Sequence, residues 1–178
     1  MRLGCNRVVS AAIGAVRHDD PRMGTLFTDS IQDAKVVLIG FPLDEGCIRN
    51  GGRPGARLGP SAFRTFVTCL GACHNVERNV DLTSSGIRIF DFGDVVVPLN
   101  ETPSQSGARD SPPPLEAFHA ALEDAVTWVL EQGKIPFIVG GGNDQSAANG
   151  RGALSYLERE NSNKRRSTER RLGIINIE

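Results

Sequence analysis

Long apolar runs are missing from this chain of 178 residues: none approaches the roughly 20 consecutive apolar residues that a membrane-spanning helix needs. Residues 8–16 are too few and too weakly apolar. A charge excess is missing as well. Lys and Arg number 20 against 21 Asp and Glu, a net charge of −1, which supplies no field to steer nucleic acid or an anionic membrane surface. A disulfide framework is missing, because Cys5, Cys47, Cys69 and Cys73 fall at uneven spacing. The run Cys69-Leu70-Gly71-Ala72-Cys73-His74 lacks the second ligand pair of a metal knuckle, so Cys69 is expected to pack as a small hydrophobe. This cysteine usage fits a reducing, cytoplasmic compartment. The nucleotide fingerprints are missing too. Gln145 stands where Gly-x-Gly-x-x-Gly needs its third glycine, and no Walker lysine follows. There is no internal repeat.

What is present alternates between strand and helix signals, as a parallel α/β sheet requires. Residues 36–40 form a continuous apolar run, suited to a strand buried on both faces. Pro60 sits at a first helical position and opens a helix through Phe63, Phe66 and Leu70. Residues 86–92 read as the second strand. Residues 99–114, rich in proline and small polar residues, read as a surface loop in which Ser111 caps the next helix. Leu115, Phe118, Leu122, Ala125 and Val129 recur at helical spacing and mark that helix's buried face, with Gly133 as its stop. Residues 135–139 give the third strand, 144–157 a helix, 158–171 a solvated charged loop, and 172–177 a last strand. Residues 1–32 read as an N-terminal extension and 33–178 as the folded domain. Arg2, Arg7 and Arg17, with no acid in the first eighteen residues, leave a mitochondrial presequence open beside an unstructured extension.

Phe137-Ile138-Val139-Gly140-Gly141-Gly142-Asn143-Asp144-Gln145-Ser146 is an apolar strand feeding three glycines and then a helix. Such a turn delivers Asn143 to the crevice at the carboxyl ends of the strands. The run resembles the first metal motif of the arginase/agmatinase/formiminoglutamase (ureohydrolase) family, with asparagine at the histidine position. Asp44-Glu45-Gly46-Cys47-Ile48-Arg49-Asn50-Gly51-Gly52-Arg53-Pro54-Gly55-Ala56-Arg57-Leu58-Gly59-Pro60 resembles the N-terminal signature of the formiminoglutamase and agmatinase branches. Asp91-Phe92-Gly93-Asp94 and Gly173-Ile174-Ile175-Asn176-Ile177 resemble the family's second strand and the strand leading to its second metal motif. The resemblance implies an arginase-type three-layer α/β/α sandwich with a parallel sheet, truncated here to its N-terminal portion. It implies two Mn²⁺ ions, a small-molecule substrate and a homo-oligomer, with no nucleic-acid or membrane partner.

Amidine carbons are poor electrophiles, so their hydrolysis at neutral pH needs the strong nucleophile that metal-activated water provides. Asn143 and Glu178 stand at ligand positions of the resembled motifs. Asn143 as a hard amide-oxygen ligand competes with Asn143 as a helix cap. Arg49, Asn50 and Arg53 are candidates for substrate binding, because formiminoglutamate carries two carboxylates and arginine presents a planar fork to each. Arg53 and Arg57 as structural ion pairs is the competing reading. Cys47 is either a redox gate of this loop or an inert thiol. Asp91 and Asp94 are expected to orient loops through backbone hydrogen bonds. His18, His74 and His119 match no ligand position of the family and are expected to be structural or exposed. The implied activity is hydrolysis of formiminoglutamate to glutamate and formamide, a step of histidine catabolism. Agmatinase or arginase activity and a non-catalytic homologue without metal are the alternatives. With most of the implied ligand set lying beyond the motifs present, the 178-residue chain by itself is expected to be inactive.

Overall fold

The computed structural model describes residues 5–6, 22–71, 74–97, 115–163 and 171–175. In chain order these form β1 (Cys5–Asn6), a 3-10 turn (Met23–Leu26), β2 (Phe27–Thr28), β3 (Val36–Phe41) and α1 (Glu45–Arg49). A second 3-10 turn (Ala56–Leu58) runs into α2 (Gly59–Cys69), followed by β4 (His74–Asn75), β5 (Val80–Asp81) and β6 (Ile89–Val95). Then come α3 (Leu115–Glu131), β7 (Ile135–Gly140) and α4 (Gln145–Asn163).

The apolar run at β3 becomes the middle of the sheet, paired in parallel with β6 on one side and β7 on the other. β2 and β1 share the far edge of β6, parallel and antiparallel respectively. Successive β3 side chains feed the two faces in turn. Val37, Ile39 and Phe41 join Leu122, Ala125, Val126, Val129 and Ala148 of α3 and α4 in one core. Val36 and Leu38 face α2 and the first 3-10 turn, where Met23, Phe27, Phe63, Val67, Ile89 and Phe137 complete the lining of an apolar cavity of about 170 Å³. Helices therefore cover both faces, the three-layer α/β/α arrangement. Burying each of the larger core side chains contributes about 1.5–3 kcal/mol. α4 approaches α3 closely at Gly152, where a Cβ would run into the Glu123 carbonyl, and Thr127 Oγ1 donates to the Gly152 carbonyl at 3.0 Å.

β6 departs from regular alternation. Leu38 pairs with Asp91 but Ile39 with Gly93, so Phe92 is the extra residue of a bulge and Gly93 takes φ +92°. Asp91 and Asp94, three apart, would otherwise point to opposite faces. The bulge turns both toward α2, where Arg64 binds Asp91 through Nε (2.7 Å) and Nη2 (2.9 Å) and Asp94 through Nη1 (2.6 Å). Burial works against the Arg64 charge, but the hydrogen bonds and charges of Asp91 and Asp94 outweigh it and raise the guanidinium pKa further. Asp91 also accepts the Gly93 N–H, the backbone role expected for it, whereas the shared arginine went unforeseen.

Several expectations from sequence need correction. The helix expected to run through Leu70 ends at Cys69, and Phe66 on it is 66% exposed because the buried face of α2 runs through Pro60 and Val67. α4 continues to Asn163, past the expected start of a loop. Its charged residues carry no helix breaker, and Arg159 pairs with Glu131 of α3 at 2.7 Å. Residues 171–175 form no strand, and Ile174 and Ile175 are 71% and 88% exposed. A parallel strand needs a neighbour for its N–H and C=O groups, and no described strand lies beside this segment. Ile174 rests instead beside Gly150 of α4. Residues 22–32, assigned above to an extension, pack against the domain: Leu26 is buried, Arg22 Nη1 donates to the Cys69 carbonyl, and Lys134 Nζ donates to the carbonyls of Gln32 and Ala34. The expected loop at 99–114 with Ser111, the basic run at 164–166 and Glu178 lie outside the described residues.

Candidate active site

Two loops meet at the carboxyl ends of β3 and β7. The first, residues 42–58, contains α1 and is tied at its base by Asp44. The Asp44 carboxylate is 5% exposed and accepts the backbone N–H groups of Gly55 at 2.6 Å and Arg57 at 3.3 Å. The Gly55 bond lowers its pKa most; burial opposes, and the Arg57 N–H and charge lower it further. Gly55 itself sits at φ +119°, which only glycine adopts without strain.

The second loop, residues 141–144, is held by backbone bonds from Gly141 N–H to Phe41 O and from Gly142 N–H to Leu43 O, both 2.8 Å. The glycines are there for close approach. A Cβ on Gly141 would overlap the Leu43 carbonyl, and one on Gly142 would overlap Asp144. Gly46 of the first loop faces the same Asp144 carboxylate with equally little room. The two loops thus close on each other through glycines.

Asn143 is exposed at the lip of this junction. Its Oδ1 accepts a hydrogen bond from Ser146 Oγ at 3.2 Å, and its backbone carbonyl accepts the Ser146 N–H at 3.1 Å. Asn143 thus marks the helix start while keeping its side chain toward solvent. Asp144 is partly buried. Its Oδ2 lies 2.7 Å from His119 Nε2, and its Oδ1 is buried with no hydrogen-bond partner among the described residues. His119 stacks on Phe41, with ring centroids 5.9 Å apart and planes at 23°. His119 and Asp144 are functional candidates that the sequence reading missed. Their 25-residue separation hides the pair, although Leu115, His119 and Leu122 share one helix face and so place a polar ring on an apolar stripe.

The substrate candidates Arg49, Asn50 and Arg53 are all exposed on the first loop. Arg49 pairs with Glu45 at 2.9 Å and approaches Glu116 of α3 at 3.7 Å. Exposed pairs of this kind contribute about 0–1 kcal/mol, so a ligand carboxylate competes for the guanidinium at little cost. Cys47 is a free thiol beside Gly142. Among the described residues no group of three or more His, Cys, Asp or Glu side chains is arranged to hold a metal. A surface concavity of about 620 Å³ lies between Glu131 and residues 155–162 at the other end of α3. Its polar lining includes the Arg159–Glu131 pair and brings no reactive groups together.

Residues 34–178 match the model of the arginase family. The chain belongs to that family. It is 33% identical over 144 residues to the formimidoylglutamase of Salmonella paratyphi A and 32% identical over 157 residues to that of Salmonella paratyphi C. It spans 36% and 39% of the length of these curated relatives. Among solved structures it is similar to Trypanosoma cruzi formiminoglutamase with Mn²⁺, at 45% identity and a TM-score of 0.63 over 78% of this chain and 41% of that one. Another solved structure of that protein carries an asparagine-to-histidine replacement, also with Mn²⁺. Bacillus subtilis formimidoylglutamase, at 20% identity and a TM-score of 0.59, shares the fold. The arginase-type α/β fold is established by these likenesses together with the sheet described above.

Proposed function

We propose that the arginase-family enzyme to which this sequence belongs is a manganese-dependent hydrolase of a linear amidine, converting formiminoglutamate to glutamate and formamide. One observation carries this reading: a triple-glycine turn brings Asn143 to the carboxyl end of the sheet next to Asp144, whose Oδ1 is buried and unpartnered. Amide and carboxylate oxygens are hard donors of the kind Mn²⁺ takes. Asn143 and Glu178 would hold the metal, the latter beyond the described residues. When bound, Mn²⁺ acidifies water and so supplies a nucleophile at neutral pH. Asn143 holds its side chain at the crevice lip, and the glycine junction keeps the two loops in register. Arg49, Asn50 and Arg53, exposed on the first loop, would hold a dicarboxylate substrate, a reading that favours formiminoglutamate over agmatine. A cytoplasmic homo-oligomer completes the proposal.

The second reading is a non-catalytic homologue, favoured by the lack of a three-ligand cluster among the described residues. Metal analysis and a formamide assay on the full-length protein separate the two. Close to two Mn²⁺ per chain with formamide release from formiminoglutamate supports the enzyme. No retained metal and no release sinks it, and faster turnover of agmatine or arginine reassigns the substrate.

A further inference from the structure

We infer that His119 is a positioning residue that locks the Asn143 loop onto the first loop by holding Asp144 between them. The inference deepens the proposed function, since both loops carry residues assigned there to metal and substrate. His119 lies in the second turn of α3, whose first residues reach the carboxyl ends of the strands. Its ring lies on Phe41, the last residue of β3 and fully buried, which fixes the ring plane. With the ring fixed, Nε2–H donates to Asp144 Oδ2 at 2.7 Å. That single bond selects the Asp144 rotamer in which Oδ1 sits in the slot between Gly46 and Gly142. Among the described residues no side chain hydrogen-bonds Oδ1 itself, so the Oδ2 bond is what sets its position. One turn earlier on the same helix, Glu116 meets Arg49. The start of α3 therefore reaches both loops, and His119 is its anchor to the metal-side loop.

A ring that merely fills space needs its shape, whereas a positioning ring needs its donor. Two substitutions separate these roles. His119→Phe keeps the stack on Phe41 and removes the donor; His119→Gln removes the ring and keeps an N–H donor close to the Nε2 position. The full-length protein is compared with both variants in two measurements. The first is Mn²⁺ affinity, read by electron paramagnetic resonance with the metal alone. The second is amide exchange in the metal-free protein at Gly141 and Gly142, whose N–H groups bond Phe41 and Leu43, with Val126 reporting global opening. His119→Phe is expected to weaken Mn²⁺ binding about 10–100-fold, the usual cost of losing a residue that orients a ligand loop. It is also expected to speed exchange at Gly142 without speeding it at Val126. His119→Gln is expected to recover most of both losses. The inference is overturned if His119→Phe matches the wild type in both measurements, or if both variants lose loop and core protection equally. A wild type that takes no Mn²⁺, but whose loop exchange still follows the donor, would overturn the proposed function and leave the positioning role standing.

Discussion

Removing Arg64 tests how the sheet is fastened to α2. Its guanidinium makes three short bonds to Asp91 and Asp94, and the three side chains are 14%, 11% and 21% exposed. Arg64→Met keeps the stem's volume and leaves two carboxylates facing each other with no cation between them. Breaking a buried pair from one side costs about 3–5 kcal/mol, mostly the penalty of the stranded charge. Two stranded carboxylates favour the upper part of that range. Because the Arg64 pKa is raised from an already strongly basic value, Arg64 stays charged across the neutral range and gives up its proton only at extreme alkaline pH. Urea unfolding of the full-length protein near pH 7 reads the loss as a lower midpoint at unchanged slope. The triple variant Arg64→Met, Asp91→Asn, Asp94→Asn removes the stranded charges and should regain most of the stability. A loss below about 1 kcal/mol for Arg64→Met, the level of an exposed ion pair, would refute the reasoning, as would a triple variant no more stable than the single one.

Asn143→His should keep or raise Mn²⁺ affinity in the full-length protein because imidazole is the better donor, and Asn143→Ala should lower it; equal affinity for the wild type and the alanine variant would make Asn143 only a helix cap. Asp44 has a lowered pKa, so its stabilisation is complete above its ordinary value of 3.8 and is lost as pH falls through the folded value. Asp44→Asn should therefore flatten the stability-versus-pH curve below about pH 4, and an unchanged acid limb would count against the Gly55 tether. Gly141→Ala drives a Cβ into the Leu43 carbonyl and should cost at least the ~1–3 kcal/mol of an overpacked site, measured by thermal unfolding. Gly133→Ala, at φ +69° with open space around it, should cost only the ~1–2 kcal/mol of left-handed backbone. Hydrogen exchange should show strong protection at Ile138 and next to none at Ile174 and Ile175; equal protection would mean that residues 171–175 form a docked strand.

The sheet's main strands were legible because β3 and β7 are short apolar runs bounded by turn residues, and α3 because Leu122, Ala125 and Val129 keep strict helical spacing. The glycine turn was legible from composition, since three consecutive glycines before a helix imply close backbone approach. What escaped depended on long-range pairing. Strand alternation sends Asp91 and Asp94 to opposite faces, and only the bulge at Phe92, set by pairing with β3, brings them to one arginine. Gly173-Ile174-Ile175 has a strand's sequence pattern but lies exposed, because no described strand is beside it to complete its ladder. His119 and Asp144 were invisible as a pair for a similar reason: the ring on the apolar stripe of α3 hints at a buried partner, but nothing in the sequence says that the partner is 25 residues away.

The central position of β3 also constrains how the protein is made. Its partners arrive later in the chain: Val36 pairs first with Ile89 and then with Ile135. At ribosomal speeds of about 5–20 residues per second, β3 has to wait roughly 5–20 s after its own synthesis before β7 exists to cover its second edge. Throughout that interval Val-Val-Leu-Ile-Gly-Phe is an apolar strand with a free ladder, the kind of segment that captures a neighbouring nascent chain. The Arg64 clasp joins α2 to β6, both complete well before β7, and so forms on the partial sheet. Substitutions at Arg64, Asp91 or Asp94 would then lower the yield of soluble protein in cells by more than their equilibrium cost implies.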